Sequence, residues 1–219
     1  MNNADNYIAI IDYQLGNLFS VKHACVHVGL KPVVTSEKKM LAEAKAIILP
    51  GVGAFSDAMK NLEKLDLINL LVDLVQKGVP LLGICLGLQL LFTESEEFEI
   101  CKGLNLVKGK IVKFPTLDNN KHVKVPQIGW NTIYCKDKTN WNNSALNSIQ
   151  QEEFMYFVHS YYAIPDHNDE ILAITDYGGI EYCSAILKDN IFATQFHPEK
   201  SSVKGIEVYR NWAQRISKI

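Results

Sequence analysis

The stretch VPLLGICLGLQLLF, residues 79–92, joins an apolar strand pattern to a helical pattern through Gly-Ile-Cys-Leu-Gly. The run VPLLGI (79–84) lacks polar alternation, which is typical of a parallel strand buried on both faces. LGLQLLF (86–92) then has apolar residues at helical spacing. A tight strand-to-helix turn that carries a reactive residue between two glycines is the layout of a nucleophile elbow. We therefore interpret Cys85 as a candidate nucleophile, the alternative being that it is one more buried cysteine packing as a small hydrophobe.

The rest of the first half repeats this alternation of apolar strands and helices. Strands that lack polar alternation and are separated by helices indicate a parallel sheet covered on both faces. The second half is richer in strands, so antiparallel pairing is expected to extend or flank that sheet, and a last helix is expected at about Val203–Ile216. The predicted fold is one α/β domain over residues 1–219, with a mostly parallel open sheet covered by helices and an added antiparallel section. The patterns in the first half are strands at 7–12, 32–36 and 44–51 and helices at 16–29 and 66–78, and the main strand run of the second half is FMYFVHSYYAI (154–164).

Composition and charge exclude several classes of function. The chain has 22 basic and 24 acidic residues and no dense run of Lys or Arg, so no nucleic-acid partner is expected. No apolar stretch approaches the roughly 20 residues of a membrane span. The five cysteines are scattered without a C-x-x-C motif, and the pair His23 and His27 has no third ligand nearby, so neither disulfides nor a metal site is expected. We expect a cytoplasmic protein with no membrane partner, no metal and no cofactor.

A cysteine nucleophile needs a base, and QFHPEKS (195–201) offers one. His197 and Glu199 are two residues apart, so in extended backbone both side chains leave on the same face. The imidazole can take the thiol proton and the carboxylate can fix its tautomer, which gives nucleophile, base and orienter. The turn also places the amide of Leu86 to donate to an oxyanion, and the start of the helix favours a thiolate. Because the chain has six histidines, H-x-E could also occur by chance.

The segment LPGVG (49–53) follows another predicted parallel strand, at the sheet edge where open α/β folds bind ligands. Its two glycines leave main-chain amides accessible and let a peptide rotate at low steric cost. We predict a second oxyanion donor at Val52 and Gly53, in a loop that could switch between two orientations. The competing interpretation is a plain glycine-rich turn.

Together, GICLGLQLLF, LPGVG and QFHPEKS resemble the class I (triad) glutamine amidotransferases. Within that family, DYQLGNLFSV (12–21), KVPQIGWN (124–131) and YFVHSYY (156–162) are similar to the glutaminase subunits of imidazole glycerol phosphate synthases. The resemblance covers nearly the full length. It implies that Cys85 attacks the carboxamide of L-glutamine, forms a glutamyl thioester and releases ammonia and glutamate. It also implies that Gly51, Gln89, Glu97, Ser160 and Tyr161 bind glutamine, whereas the residues alone would leave Gln89 and Glu97 on an exposed helix face and its trailing loop.

Ammonia released into neutral water is mostly protonated and no longer nucleophilic, so a glutaminase must hand it directly to a synthase. The resemblance implies a heterodimer with a (β/α)8-barrel cyclase subunit that makes imidazole glycerol phosphate and AICAR in histidine biosynthesis. The docking face it implies consists of Asn17, Gln127, Trp130, Asn131 and Lys200. A loop Trp is otherwise in the core about as often as at an interface.

Two residues depart from the family pattern in the regions assigned to the partner. Gln127 replaces the histidine expected in PHxGWN, and Gln14 replaces a frequent glycine in DYGxGN. They leave open the alternative that the chain is a related glutaminase that supplies ammonia for sugar amination in surface-polysaccharide synthesis. A cysteine hydrolase of related fold, such as a peptidase, and a non-catalytic regulatory module are also compatible with parts of the pattern.

Overall fold

The computed structural model describes residues 7–118, 121–135 and 139–217. The helices are α1 (Leu18–His27), α2 (Lys38–Glu43), α3 (Phe55–Lys64), α4 (Ile68–Gln76), α5 (Leu86–Leu90), α6 (Thr139–Asn142) and α7 (Ser202–Ile216), with 3-10 turns at Asn168–Glu170 and Pro198–Lys200. The strands are β1 (Ile8–Ile11), β2 (Pro32–Thr35), β3 (Ala46–Gly51), β4 (Leu81–Cys85), β5 (Glu94–Ser95), β6 (Cys101–Lys102), β7 (Gly109–Lys113), β8 (Leu117–Asp118), β9 (Lys121–His122), β10 (Gln127–Ile133), β11 (Glu153–His159), β12 (Tyr161–Pro165), β13 (Ile171–Tyr177), β14 (Ile180–Lys188) and β15 (Ile191–Thr194).

The main sheet is an open sheet with a parallel core. Its order begins β2-β1-β3-β4-β15, and each of these neighbouring pairs is parallel. It continues through β14, β12 and β7, which are joined by antiparallel pairs, to β5 and β6. The predicted fold class, a parallel open sheet with an antiparallel section, is confirmed.

Both faces of the parallel core are buried, as the apolar strand patterns predicted. Along β1, Ile8 and Ile10 enter one apolar cluster and Ala9 and Ile11 enter the other. Helices α3, α4 and α5 contribute to the Ala9 side, and α1 and α7 to the Ile10 side. Successive strand residues point to opposite faces, so a strand between two helical layers must be apolar throughout.

The helix predictions are correct in position. Those at 16–29 and 66–78 are two residues too long at each end, the run 86–92 continues two residues beyond α5, and the last helix begins one residue earlier than predicted. Helices α1 and α4 end shortly before Gly29 and Gly78, whose φ angles of 84° and 88° are typical of glycines that terminate helices. Helices α2 and α3 were not predicted from the sequence. None of the described helices has the length and apolarity needed to cross a membrane.

The predicted strand run 154–164 is in fact two strands in two sheets. Strand β11 pairs with β10 in a separate two-stranded sheet, and β12 joins the main sheet beside β7. The break falls at Ser160, whose carbonyl accepts the amide of Phe114 at 3.0 Å. Ser160 and Tyr161 therefore lie where the small sheet meets the main one.

Candidate active site

Cys85 is the last residue of β4 and immediately precedes α5. Its backbone has φ 54° and ψ −109°, a conformation that side-chain-bearing residues rarely adopt. The strain therefore lies on the cysteine itself. Gly83 and Gly87 do not carry this strain and serve close packing. A methyl group at Gly87, for example, would overlap the backbone carbonyl of Leu49 on β3.

His197 and Glu199 follow β15, the parallel neighbour of β4. His197 Nδ1 lies 2.8 Å from Glu199 Oε1, and both side chains are at most 2% exposed. Main-chain bonds hold the histidine, because its amide donates to the carbonyl of Tyr156 and its carbonyl accepts from Ser201 Oγ. Burial lowers the pKa of His197, but the neighbouring Cys85 and Glu199 outweigh burial and raise it above the ordinary value.

One cavity of about 420 Å³ joins Cys85 to most of the other predicted site residues, whereas the enclosed His197 and Glu199 are not among the residues that line it. Gly51 does not line it and is packed behind it, paired with Cys85 across β3 and β4 and closed off by Tyr13 and Leu86. The lining residues are Val52, Gly53, Cys85, Leu86, Gln89, Glu97, Pro126, Val158, His159, Ser160, Tyr161 and Lys200.

Glu97 supplies a carboxylate to this cavity. Its Oε2 accepts the amide of Phe55 at 2.6 Å and so serves the first turn of α3. Burial raises the pKa of Glu97, the Phe55 amide opposes that rise, and nearby Asp57 adds to it. Burial raises the pKa of Tyr161, and the negative charge of Glu97 adds to that rise. A cation entering here would find a carboxylate that is already oriented.

The family model that describes class-I glutamine amidotransferases matches residues 9–215 of this chain. The chain belongs to that family. The match spans β1 to α7 and includes every predicted site residue. It makes the chain a glutamine amidotransferase rather than a cysteine peptidase or a non-catalytic module.

Curated relatives agree over nearly the full length. The chain is 45% identical over 208 residues to the imidazole glycerol phosphate synthase subunit HisH of Geobacter metallireducens, covering 94% of this chain and 97% of the relative. It is 43% identical over 211 residues to the HisH subunit of Aquifex aeolicus, covering 96% and 97%.

Solved structures share the fold at lower identity. A structure described as a glutamine amidotransferase aligns with a TM-score of 0.69 at 16% identity, covering 96% of this chain and 98% of the other. The PurLQS structure from Thermotoga maritima aligns with a TM-score of 0.71 at 17% identity, covering 95% and 98%. These alignments support the amidotransferase fold.

Two residues of this amidotransferase site, Gln195 and His159, lie within the quoted motifs but were assigned no role from the sequence. Gln195 is fully buried, and its Nε2 lies 3.7 Å from the Cys85 sulfur. Its Oε1 accepts from Gln89 Nε2 at 3.0 Å, so two amides link the nucleophile to the pocket wall. His159 lines the cavity from the end of β11. A polar residue inside an apolar strand run is the signal that could have indicated both.

Three predicted interface residues lie at or near the surface. Trp130 is 52% exposed and packs edge-on against Tyr156 with ring centroids 6.1 Å apart. Lys200 Nζ lies 5.8 Å from the same tyrosine ring and also lines the cavity. Asn17 is half-buried, directly before α1. Trp130 and Lys200 thus both lie against the ring of Tyr156.

Gln127, which the resemblance implied for the docking face, does not expose its side chain in this structure. Gln127 is 2% exposed, and its side chain points inward, with Oε1 2.9 Å from the hydroxyl oxygen of Tyr182. Asn131 is half-buried and bonded within the protein, since its amide nitrogen donates to the carbonyl of Asp176.

The backbone conformation at Gln14 explains why glycine is frequent at this position. Gln14 is exposed and adopts a φ of 70°, in the left-handed region that glycine enters without strain. The turn is held by the bond from the Gln14 amide to Asp12 Oδ1. The frequent glycine therefore suits the backbone at this position.

Proposed function

We propose that this chain is the glutaminase subunit of imidazole glycerol phosphate synthase and acts in the cytoplasm. It hydrolyses L-glutamine to glutamate at Cys85 and passes the ammonia to a cyclase subunit, which makes imidazole glycerol phosphate and AICAR. The observation that carries the proposal is the strained Cys85, which lines one cavity together with Glu97 and has the enclosed His197–Glu199 pair as its neighbour. The HisH relatives support histidine biosynthesis as the pathway over sugar amination.

The chemistry begins with proton transfer from the thiol. His197 Nε2 is buried without a hydrogen-bond partner among the described residues, while Nδ1 is held by Glu199, so Nε2 is the nitrogen available to the Cys85 proton. The thiolate attacks the glutamine carboxamide carbon and forms a tetrahedral oxyanion. Imidazolium then returns the proton to the departing nitrogen, ammonia leaves, and a glutamyl thioester remains.

Hydrolysis of the thioester reverses the same proton path. His197 removes a proton from water, the hydroxide attacks the thioester carbon, and the second oxyanion collapses to glutamate and the free thiol. Glu199 keeps its position on Nδ1 in both halves, which fixes the ring and stabilises the imidazolium.

The oxyanion needs main-chain donors at the cavity wall. The amide of Leu86 begins α5 and is one of the donors that a helix leaves without an internal partner. Val52 and Gly53 line the same cavity, and Gly53 has a φ of 105°, which supports the loop after β3 as the second donor segment.

The amino-acid end of glutamine is assigned to the part of the cavity that Glu97, Ser160 and Tyr161 line. Glu97 pairs with the α-ammonium group, and the wall formed by Ser160 and Tyr161 faces the remainder of the substrate. Gln89 stabilises that wall, because its Nε2 donates to the Tyr161 carbonyl at 3.0 Å.

The cyclase barrel is assigned to the exposed face of the β10–β11 sheet. Ile128, Trp130 and Phe154 are each more than half exposed there, and Trp130 pairs with Tyr156 across the strands. A contiguous apolar patch beside a reaction cavity favours a protein partner that covers it. Lys200 joins this face to the cavity, so the partner would dock next to the site of ammonia release.

The proposal is tested by measuring glutamate release with and without a cyclase barrel subunit. We expect slow release by the chain alone and stimulation by the barrel, because docking completes the oxyanion loop. Cys85→Ala should lose glutamine-dependent synthesis and keep synthesis from added ammonium salts. Glutamate release by Cys85→Ala would contradict the nucleophile assignment, and failure of the barrel to bind would contradict the synthase assignment.

A further inference from the structure

A buried hydrogen-bond relay leads from β10 to the wall of the cavity. Tyr182 OH lies 2.9 Å from Gln127 Oε1 and 3.3 Å from His159 Nε2. The other ring nitrogen, His159 Nδ1, lies 2.8 Å from the carbonyl oxygen of Tyr161. The side chains of Gln127, Tyr182 and His159 are all enclosed.

The proton positions in this relay follow from its far end. A carbonyl oxygen can only accept, so His159 Nδ1 carries a hydrogen and donates it to Tyr161. The pKa of His159 is lowered to about 4, mainly by burial; the bond to Tyr161 opposes this fall and nearby His197 adds to it. His159 is therefore neutral near pH 7, Nε2 holds a lone pair, and Tyr182 must donate its hydroxyl proton to Nε2.

Gln127 then has to donate to Tyr182. With its proton on His159, the Tyr182 oxygen would face Gln127 Oε1 as one acceptor facing another. Rotating the Gln127 amide by 180° about its last bond places Nε2 there instead. That nitrogen is buried and has no partner among the described residues in the unrotated orientation. The rotation makes every bond of the relay point from a donor to an acceptor.

We propose that Gln127 is a positioning residue that, through Tyr182, holds His159 as the neutral Nδ1–H tautomer and so fixes the Tyr161 carbonyl in the cavity wall. The inference deepens the proposed function and rests on it for the identity of the bound substrate. The Tyr161 carbonyl also accepts from Gln89, which bonds to Gln195 beside the Cys85 sulfur. Gln127 begins the strand that carries Trp130, so the relay connects that strand to the nucleophile.

The tautomer is read directly by nitrogen NMR of the full chain labelled in histidine. We expect His159 to show a protonated Nδ1 and an unprotonated Nε2 near pH 7. Gln127→Glu has nearly the same shape and, at a pH where its carboxyl is ionised, supplies only acceptors, so Tyr182 should turn its proton to residue 127 and His159 Nε2 should take up a proton from solvent while Nδ1 keeps its hydrogen. Gln127→His keeps an N–H donor and should preserve the original pattern. An unprotonated Nδ1 in the unaltered chain, or an unchanged His159 in Gln127→Glu once carboxyl carbon NMR shows residue 127 to be ionised, overturns the proposal.

Kinetics of the same chain test the link to substrate. Tyr182→Phe removes the donor to His159, and we expect the KM for glutamine to rise about 5-fold with kcat within about 2-fold, the size of one lost hydrogen bond. Tyr177→Phe is the matched control, because Tyr177 also packs against Phe114 but its hydroxyl bonds to the Lys124 carbonyl. Equal KM values in the two variants overturn the role in substrate positioning.

The NMR and kinetic measurements separate the two levels of inference. The expected tautomer pattern in a chain without glutaminase activity contradicts the proposed function and leaves the relay intact. Full glutaminase activity with the wrong tautomer contradicts the relay alone. If Tyr182→Phe fails to fold, the Gln127 pair tests the relay, because both of its substitutions keep a polar side chain of similar size.

Discussion

His197 Nδ1 and Glu199 Oε1 lie 2.8 Å apart, with almost no solvent access to either side chain. The bond is made within one short segment, since only Pro198 separates the two residues. The imidazole thereby keeps one nitrogen occupied and presents the other to the thiol of Cys85. A local sequence pattern thus fixes half of the catalytic geometry, and the sheet supplies the other half by pairing β15 with β4.

We predict that Glu199→Gln lowers kcat for glutamine hydrolysis by roughly 10²-fold or more, the scale of general acid–base catalysis. The neutral amide can no longer stabilise the imidazolium, and because Glu199 helps to raise the pKa of His197, that pKa should fall. The pH profile of kcat and a histidine NMR titration measure both effects. An unchanged profile would remove Glu199 from the mechanism.

Cys85→Ala and Cys85→Gly should both be inactive and should differ in stability. Alanine keeps the strained φ of 54°, whereas glycine adopts it freely, so we expect the glycine variant to be more stable by about 1 kcal/mol. Urea unfolding of the two variants measures the difference. Equal stabilities would mean that the elbow stores no backbone strain.

The sequence predicted the elements that follow local patterns and missed those that depend on distant contacts. Helix α3 is an example, because its N-cap Ala54 makes no side-chain bond and the Phe55 amide is capped by Glu97, 42 residues away. The break at Ser160 was hidden because both flanking strands are apolar and only the sheet pairing separates them. The inward direction of Gln127 depends on Tyr182, which lies on β14, so no local pattern could indicate it.

Stability should depend on pH through His159. Its folded pKa of about 4 is below the unfolded value of about 6.5, so the unfolded chain binds more protons between these values. Stability is therefore full above about pH 6.5 and is lost as pH falls towards 4. Between pH 7 and 4.5 this group should cost about 2 kcal/mol of unfolding free energy.

The comparison that isolates this effect is His159→Gln. The variant should lose about 2 kcal/mol less than the unaltered chain over the same pH interval, which cancels the contributions of other titrating groups such as His197. Unfolding free energies from urea titrations at the two pH values provide the measurement. Parallel losses in both proteins would show that His159 is not held neutral.

Trp130→Ala should weaken binding of the cyclase barrel roughly 30-fold while leaving the basal glutaminase activity of the chain unchanged. The reason is that a large aromatic ring at the centre of an apolar patch is the kind of residue that contributes about 2 kcal/mol or more to an interface. Calorimetric titration of the barrel into the chain gives the affinity. Ile164→Ala is the control, because Ile164 is also exposed but lies on β12, outside the β10–β11 sheet. Equal affinities for the two variants would place the docking surface away from β10, and the ammonia would then have to leave the cavity by another route than past Lys200.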